Sequence, residues 1–229
     1  MKLSIDKAHK DFFQKEGWIA FDDLLSEAQL RQLNQTIDEA LKVRFDLPID
    51  KVNTLKTQEL FAKGRDLSRF NQKLRKIVTQ PNFAEVACEL VEIRSVRLGY
   101  DQLIPAEVPN PFSPKESYTL FIEQATTLAE ISCVKEVVAG LLICLGPQRQ
   151  IDSTAFAPGH VIFFRPDSPL HFSQLQSQPG QRYLLIVYTE KQAYYKLEPR
   201  DPQTHELKNL GYVFNDKLRD KTHPVVLSR

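Results

Sequence analysis

Hydrophobic positions in the first ninety residues recur with the period of an α-helix. Residues 6–16 form a short amphipathic stretch that Gly17 ends, and residues 18–21 form a brief extended segment. Ser26 and Gln29 have the spacing of a capping box ahead of a stripe that contains Leu33 and Ile37. Further helices are predicted over 52–62, 68–79 and 82–92, with Pro81 just inside the start of the last one.

After residue 92 the pattern changes to short apolar runs that are typical of strands. They are predicted at 96–104, 118–123, 137–145, 160–165 and 183–189. Glycine–proline turns separate the later runs, and a proline-rich loop covers 105–114. No helical pattern alternates with these strands, so we expect an antiparallel sandwich or jelly roll rather than βαβ winding.

The whole chain is predicted to form one domain over residues 1–229. Its parts are a helical N-terminal layer (1–92), a β core (93–190) and a C-terminal extension (191–229). The extension contains two prolines and mixed polarity, which predict a segment that runs along the surface, with a short helix or strand near 206–214. The expected fold class is therefore α+β, mostly β with N-terminal helices.

Composition narrows the range of functions. Hydrophobic residues make up 42% of the 229, enough for a sizeable core. Thirty Lys and Arg against twenty-nine Asp and Glu give a net charge of +1, which argues against a nucleic-acid binder. The longest apolar run, 137–145, is half a membrane span, and no secretory leader is visible, so we expect a cytoplasmic protein without a membrane role. The sequence leaves the oligomeric state open.

Cysteine and histidine are the candidate metal ligands. Cys88, Cys133 and Cys144 form no CxxC pair and are predicted to be buried, reduced thiols. Of the five histidines, His9, His205 and His223 lie in charged or polar segments and are predicted to be solvated surface residues.

His160 and His171 lie in the strand-rich half, and Arg182 follows His171 by eleven positions. An imidazole and a guanidinium at one end of a β-barrel suit a metal-chelating carboxylate. The alternative is structural: a histidine hydrogen-bonded in a turn and an arginine in an ion pair. Tyr100, with its neighbours Asp101 and Gln102 on the first core strand, either contacts a ligand or alternates between core and solvent.

Three stretches of the chain carry a family resemblance: FFQKEGWIAFDDLLSEAQLRQLNQTIDEAL (12–41), RLGYDQLI (97–104) and PGHVIFFRPDSPLHFSQLQSQPGQRYLLIVY (158–188). They resemble the phytanoyl-CoA dioxygenase-like family of Fe(II)/2-oxoglutarate-dependent oxygenases. The resemblance implies a double-stranded β-helix, a cupin-like jelly roll with helices on one side. It also implies that His171 is the distal iron ligand, that Arg182 anchors 2-oxoglutarate, and that Tyr100 lines the cofactor pocket.

The sequence departs from the family at the HxD motif that supplies the first two iron ligands. No histidine occurs between Tyr100 and Val137; Phe121 stands where the histidine is expected and Glu123 where the carboxylate is expected. His171 and Glu123 together give two donors, and a facial triad needs three. His160 is the other imidazole that could complete the set.

Two functions therefore remain open. The first is a jelly-roll protein that has lost normal Fe(II) coordination and binds a small molecule bearing a carboxylate, or a partner, with neither Fe(II) nor 2-oxoglutarate. The alternative is an active Fe(II)/2-oxoglutarate-dependent dioxygenase that hydroxylates a small substrate at an atypical metal site.

Overall fold

An antiparallel sheet forms the centre of the structure, a computed structural model that describes residues 4–22, 24–105, 126–146, 157–169, 181–201 and 203–229. Its strands within these residues are β1 (Trp18–Phe21), β2 (Ser95–Ile104), β3 (Val137–Gly146), β4 (Val161–Phe164), β5 (Arg182–Thr189) and β6 (Val225–Ser228). Their order across the sheet is β1-β4-β3-β5-β2-β6, and every neighbouring pair is antiparallel. The antiparallel arrangement predicted from the sequence is confirmed for these strands.

The helices precede most of the strands, as the hydrophobic period predicts. They are α1 (Lys7–Glu16), α2 (Glu27–Phe45), α3 (Ile49–Val52), α4 (Thr57–Lys63), α5 (Gln72–Val78), α6 (Pro81–Val91) and α7 (Leu128–Ile131), with 3₁₀ turns at Leu67–Arg69 and Glu206–Leu210. The Ser26–Gln29 capping box forms at the start of α2. Gly17 ends α1 with φ +79°, a conformation in which glycine avoids the penalty of a Cβ.

Two predicted helices are each broken into shorter pieces. The stretch predicted at 52–62 is divided between α3 and α4, and the stretch at 68–79 is divided between a 3₁₀ turn and α5. Asn71 is the reason for the second break, because its side chain accepts hydrogen bonds from the amides of Lys73 and Leu74 and so starts a new helix.

Both faces of the sheet are buried. The N-terminal face, defined by Leu141, Phe163, Leu184 and Ile186, packs on α1, α2, α5 and α6. The C-terminal face, defined by Tyr100, Leu142, Tyr183 and Leu185, packs on Tyr195, Leu207 and Tyr212 of the chain's end. A bulge at Gly99 reverses the alternation of β2, so Leu98 contributes to the first face and Tyr100 to the second.

The C-terminal extension is not the surface segment that its polarity predicts. Tyr195 and Tyr212 are almost completely buried against the C-terminal face, and β6 pairs with β2 at the edge of the sheet. The short helical element predicted near 206–214 is present as the 3₁₀ turn at Glu206–Leu210. Mixed polarity misled the prediction because apolar residues spaced irregularly along a loop can still be buried.

The α+β class is confirmed, although helical residues outnumber strand residues within the described ranges. The strand predicted at 118–123 lies outside those ranges. In the part of the chain that the structure describes, no helix has the length and apolar character needed to span a membrane. The three cysteines are buried free thiols, as predicted.

Candidate functional site

Tyr100 and Gln102 lie side by side on the C-terminal face of β2. They pair across the sheet with Val187 and Leu185, and both are almost completely buried. The Arg65 guanidinium lies 3.8 Å from the centre of the Tyr100 ring, a cation–π contact that keeps the charge against the aromatic face. The strand therefore does not alternate between core and solvent, because both of its faces are covered.

Arg65 is the centre of a buried polar network. Its Nε donates to Oε1 of Gln102 at 2.9 Å, and its Nη2 donates to Oδ1 of Asp201 at 3.1 Å. Oδ2 of Asp201 in turn accepts from the amide of Cys133 at 2.8 Å. Burial alone would lower the pKa of Arg65, but Asp201 and the other neighbouring acidic groups together outweigh this effect and raise that pKa above its usual value.

A small cavity lies beside this network, where the N-terminal layer, β2 and the C-terminal extension meet. Its lining includes Arg65, Asp66, Tyr100, Cys133, Glu206 and His223. Burial raises the pKa of the Tyr100 hydroxyl and of the Cys133 thiol well above their usual values. Both groups are therefore neutral at physiological pH, and Cys133 is not an activated nucleophile.

Asp101 occupies the other face of β2 and pairs with the 3₁₀ turn at Leu67–Arg69. Its carboxylate accepts hydrogen bonds from the amide and the hydroxyl of Ser68. Burial and the neighbouring Asp66 carboxylate raise the pKa of Asp101 to about 6. Asp66 itself pairs with Arg69 at 3.1 Å. Asp101 thus stabilises the N-terminal layer rather than facing the cavity.

Arg182, the predicted oxoglutarate anchor, points towards α2. Its Nη1 donates to Oδ1 of Asp38 at 2.7 Å, and its Nη2 donates to Oδ1 of Asn34 at 2.7 Å. It occupies the same face of β5 as Leu184 and Ile186, which is the N-terminal face, whereas Tyr100 lies on the C-terminal face. This position does not support the anchor role and matches the structural alternative, an arginine in an ion pair. Arg182 and Tyr100 therefore lie on opposite faces of the sheet, and their roles in cofactor binding stay predictions.

The predicted iron ligands are only partly covered by the structure. His171 and Glu123 lie outside the described residues, so their roles stay predictions. His160, the third candidate, precedes β4 and places its Nε2 3.2 Å from Oδ1 of Asp22, near the end of β1. The described residues contain no group of three or more His, Cys, Asp or Glu side chains placed to hold a metal ion.

The remaining histidines have separate positions. His9 completes the capping box of α1 with Asp6, and His205 is exposed beside the ring of Phe214. His223 is buried, with only 1% of its surface exposed, contrary to the prediction that it is a surface residue. Its burial depends on β6 and the preceding turn, which the sequence pattern does not predict.

Sequence reasoning missed Arg65, Asp201 and His223. Arg65 lies in a connection between helices, and Asp201 lies in a polar stretch next to a proline. Neither position has a local signal of burial, because the partner that makes burial possible is distant in sequence. Charged residues are almost never fully buried without such a partner, so their residue types alone predict a surface position for both.

Comparisons with known family models and with curated proteins find no match for this chain. Solved structures do match. The alpha ketoglutarate-dependent carbocyclase SnoK from nogalamycin biosynthesis has a TM-score of 0.66 at 14% identity, over 96% of each chain. The epimerase SnoN, in complex with Fe³⁺, alpha ketoglutarate and nogalamycin RO, has a TM-score of 0.61 at 12% identity, over 95% of this chain and 96% of SnoN. CytC3 with Fe(II) and alpha-ketoglutarate has a TM-score of 0.54 at 9% identity, over 87% and 82%.

These matches identify the fold. The chain has the fold of the non-heme, alpha-ketoglutarate (2-oxoglutarate)-dependent enzymes, as the sequence resemblance implies. A shared fold does not transfer an activity, because function depends on the site built on it.

Proposed function

We propose that this chain is a binding protein built on a phytanoyl-CoA dioxygenase-like jelly roll that has lost normal Fe(II) coordination. The observation that carries the proposal is the position of its histidines. The fold is that of enzymes whose solved structures include Fe and alpha-ketoglutarate complexes. The described imidazoles, however, are distributed over places where they serve other contacts.

The histidine count limits what the site can contain. A two-histidine, one-carboxylate centre needs two imidazoles on one side of the metal. His9 caps α1, His160 pairs with Asp22, His205 is exposed beside Phe214, and His223 is enclosed by the C-terminal extension. The fifth histidine, His171, lies outside the described residues.

No set of described residues therefore fits Fe(II). In the sequence, His171 together with Glu123 would supply two protein ligands, one fewer than a facial triad. Affinity for a divalent metal depends on donor number and geometry as well as on donor type. We accordingly propose that neither Fe(II) nor 2-oxoglutarate is a resident cofactor of this protein.

The proposed ligand is a small molecule that bears a carboxylate, or otherwise a partner protein. The contacts of Arg182 limit how a small molecule with a carboxylate could bind. Because Asp38 and Asn34 already accept hydrogen bonds from Arg182, a ligand carboxylate would compete with Asp38 for that guanidinium. Arg65 is similarly paired with Asp201. A ligand acid that uses either arginine would therefore compete with an existing ion pair, which lowers its affinity.

An anaerobic titration of the full chain with Fe(II) in the presence of 2-oxoglutarate tests the proposal. We expect no saturable metal-to-ligand charge-transfer band in visible absorption, because two protein ligands do not hold the metal firmly. A parallel calorimetric titration with 2-oxoglutarate and succinate, without metal, tests carboxylate binding directly.

The alternative, an active dioxygenase with an atypical metal site, makes the opposite prediction. It requires a band that saturates near one equivalent of iron, is lost in the His171→Ala and Glu123→Ala variants, and persists in the matched control His205→Ala. That set of results would replace the binding proposal with the enzymatic one.

A further inference from the structure

His223 lies where the C-terminal extension joins the sheet. Its Nε2 is 3.0 Å from Nη2 of Arg69, and its Nδ1 is 3.0 Å from the Tyr212 hydroxyl and 2.9 Å from Oγ1 of Thr222. The ring therefore connects the 3₁₀ turn at Leu67–Arg69 with the segment that leads into β6. The residue is almost completely buried, and both ring nitrogens have hydrogen-bond partners.

These contacts require one protonation state. A guanidinium has only donors, so Nε2 of His223 must accept from Arg69, and the ring proton must be on Nδ1. The neutral imidazole fits this arrangement. The imidazolium does not, because its Nε2–H would face the N–H of Arg69.

The charges around His223 oppose protonation. The carbonyl of His223 accepts from Nη1 of Arg97 on β2, so a second guanidinium lies close to the ring. Asp66 pairs with Arg69, and Asp220 pairs with Arg97 at 2.7 Å. Glu206 lines the same cavity as His223 and Asp66. The carboxylates reduce the positive potential, but the hydrogen bond to the ring comes from a cation.

Burial first, and then Arg69 and Arg97, lower the pKa of His223 well below its usual value. The state in which residues 219–229 pack on the sheet is called closed here, and the state in which they are released is called open. A histidine whose pKa is lower in the closed state stabilises that state fully at pH values above its open-state pKa. This stabilisation is lost as the pH falls below about 6.5, the usual pKa of an exposed histidine.

We propose that His223 is a pH-sensitive latch that holds residues 219–229 on the sheet and that releases them when it is protonated. Release separates β6 from β2 and opens the cavity beside Tyr100. The statement that this opening controls access to a ligand rests on the proposed function, whereas the release itself does not.

The dependence of the opening equilibrium on pH has an expected magnitude. If the open segment binds a proton with a pKa near 6.5 and the closed segment does not, the opening equilibrium increases roughly 30-fold between about pH 7.5 and pH 5.0. The curve should have a slope of one proton below about pH 6.5 and be flat above it.

Hydrogen exchange of the full chain, read by mass spectrometry over peptides that cover 219–229 and corrected for the intrinsic pH dependence of exchange, measures this equilibrium. In the native sequence we expect protection of these peptides to fall roughly 30-fold over that pH range, while peptides from β3 keep their protection. His223→Gln retains one acceptor and one donor but does not titrate, so its protection should be independent of pH. His205→Gln, which changes an exposed histidine, is the matched control and should respond like the native sequence.

Three results would overturn the latch: protection over 219–229 that does not change with pH in the native chain, an unchanged pH response in His223→Gln, or a loss of the response in His205→Gln. The second would assign the response to a titrating group other than His223 and so exclude the latch. If His223→Gln does not fold, the one-proton slope of the native chain remains a test. Iron and ligand are not required, so the latch and the proposed function can fail separately.

Discussion

A single guanidinium, that of Arg65, joins three parts of the chain that are far apart in sequence. It contacts Gln102 on β2 and Asp201 in the C-terminal extension, 136 positions away. The side chains of Arg65 and Asp201 are 4% and 0% exposed. In such surroundings a charge is tolerated only with its partner in place, because desolvation of an unpaired ion costs several kcal/mol.

Removal of that partner gives a residue-level prediction. Asp201→Ala leaves Arg65 buried without its counterion and the amide of Cys133 without its acceptor, so we expect the free energy of unfolding to fall by about 3–5 kcal/mol. Urea denaturation measures the change. Glu27→Gln, which disrupts the exposed ion pair with Arg31, is the control and should change stability by less than about 1 kcal/mol. Equal effects of the two substitutions would contradict the structural role of Arg65.

At the scale of elements, Arg182 connects α2 to the start of β5. Asn34 contributes to the same junction from the helix side, since its Nδ2 donates to the carbonyl of Leu145 on β3. The side chains of Arg182 and Asp38 are 11% and 22% exposed, so the pair is partly screened from water. These contacts fix the position of α2 over the ends of two strands.

A double-mutant cycle on Arg182→Ala and Asp38→Ala tests this connection. Each single substitution should lower the free energy of unfolding by about 1–3 kcal/mol, because each leaves a partly buried charge without its partner. The double variant should be less destabilised than the sum, since the second substitution removes the orphaned group. Additive effects in urea denaturation would show that the two side chains act independently and would contradict the proposed coupling.

At the scale of the whole molecule, the C-terminal extension completes the core. Tyr195, Leu207 and Tyr212 cover the C-terminal face of the sheet, and β6 adds its last strand beyond β2. The buried ion pair of Asp201 and the imidazole of His223 attach the same extension to the N-terminal layer. The helical layer, the sheet and the extension are therefore expected to unfold together.

Truncation provides the corresponding prediction. A chain that ends at Glu190 exposes Tyr100, Leu185 and Val187, and should lose the cooperative thermal transition that the full chain shows in near-ultraviolet circular dichroism. Val213→Ala, at a position that is 65% exposed, is the control within the extension and should shift Tm only slightly. A truncated chain that unfolds cooperatively within about 5 °C of the full chain would show that the extension is dispensable.

The sequence by itself determined the features that depend on near neighbours. Asp6 caps the start of α1, Gly17 ends it, and Ser26 caps the start of α2. The apolar runs of β2, β3 and β5 predict those strands. Capping, helical period and strand alternation involve residues a few positions apart, so their signals are complete within a short window. The resemblance of three stretches to one oxygenase family extended these predictions from single elements to the whole fold.

Only the tertiary structure decided which face each functional candidate occupies. The bulge at Gly99 turns Tyr100 to the C-terminal face, whereas Arg182 lies on the opposite face against Asp38. The burial of Asp201 and His223 likewise depends on partners more than a hundred positions away. A charged group or an imidazole is buried only when another group compensates for its lost hydration. In this protein that group is distant in sequence, so a local sequence pattern does not indicate it.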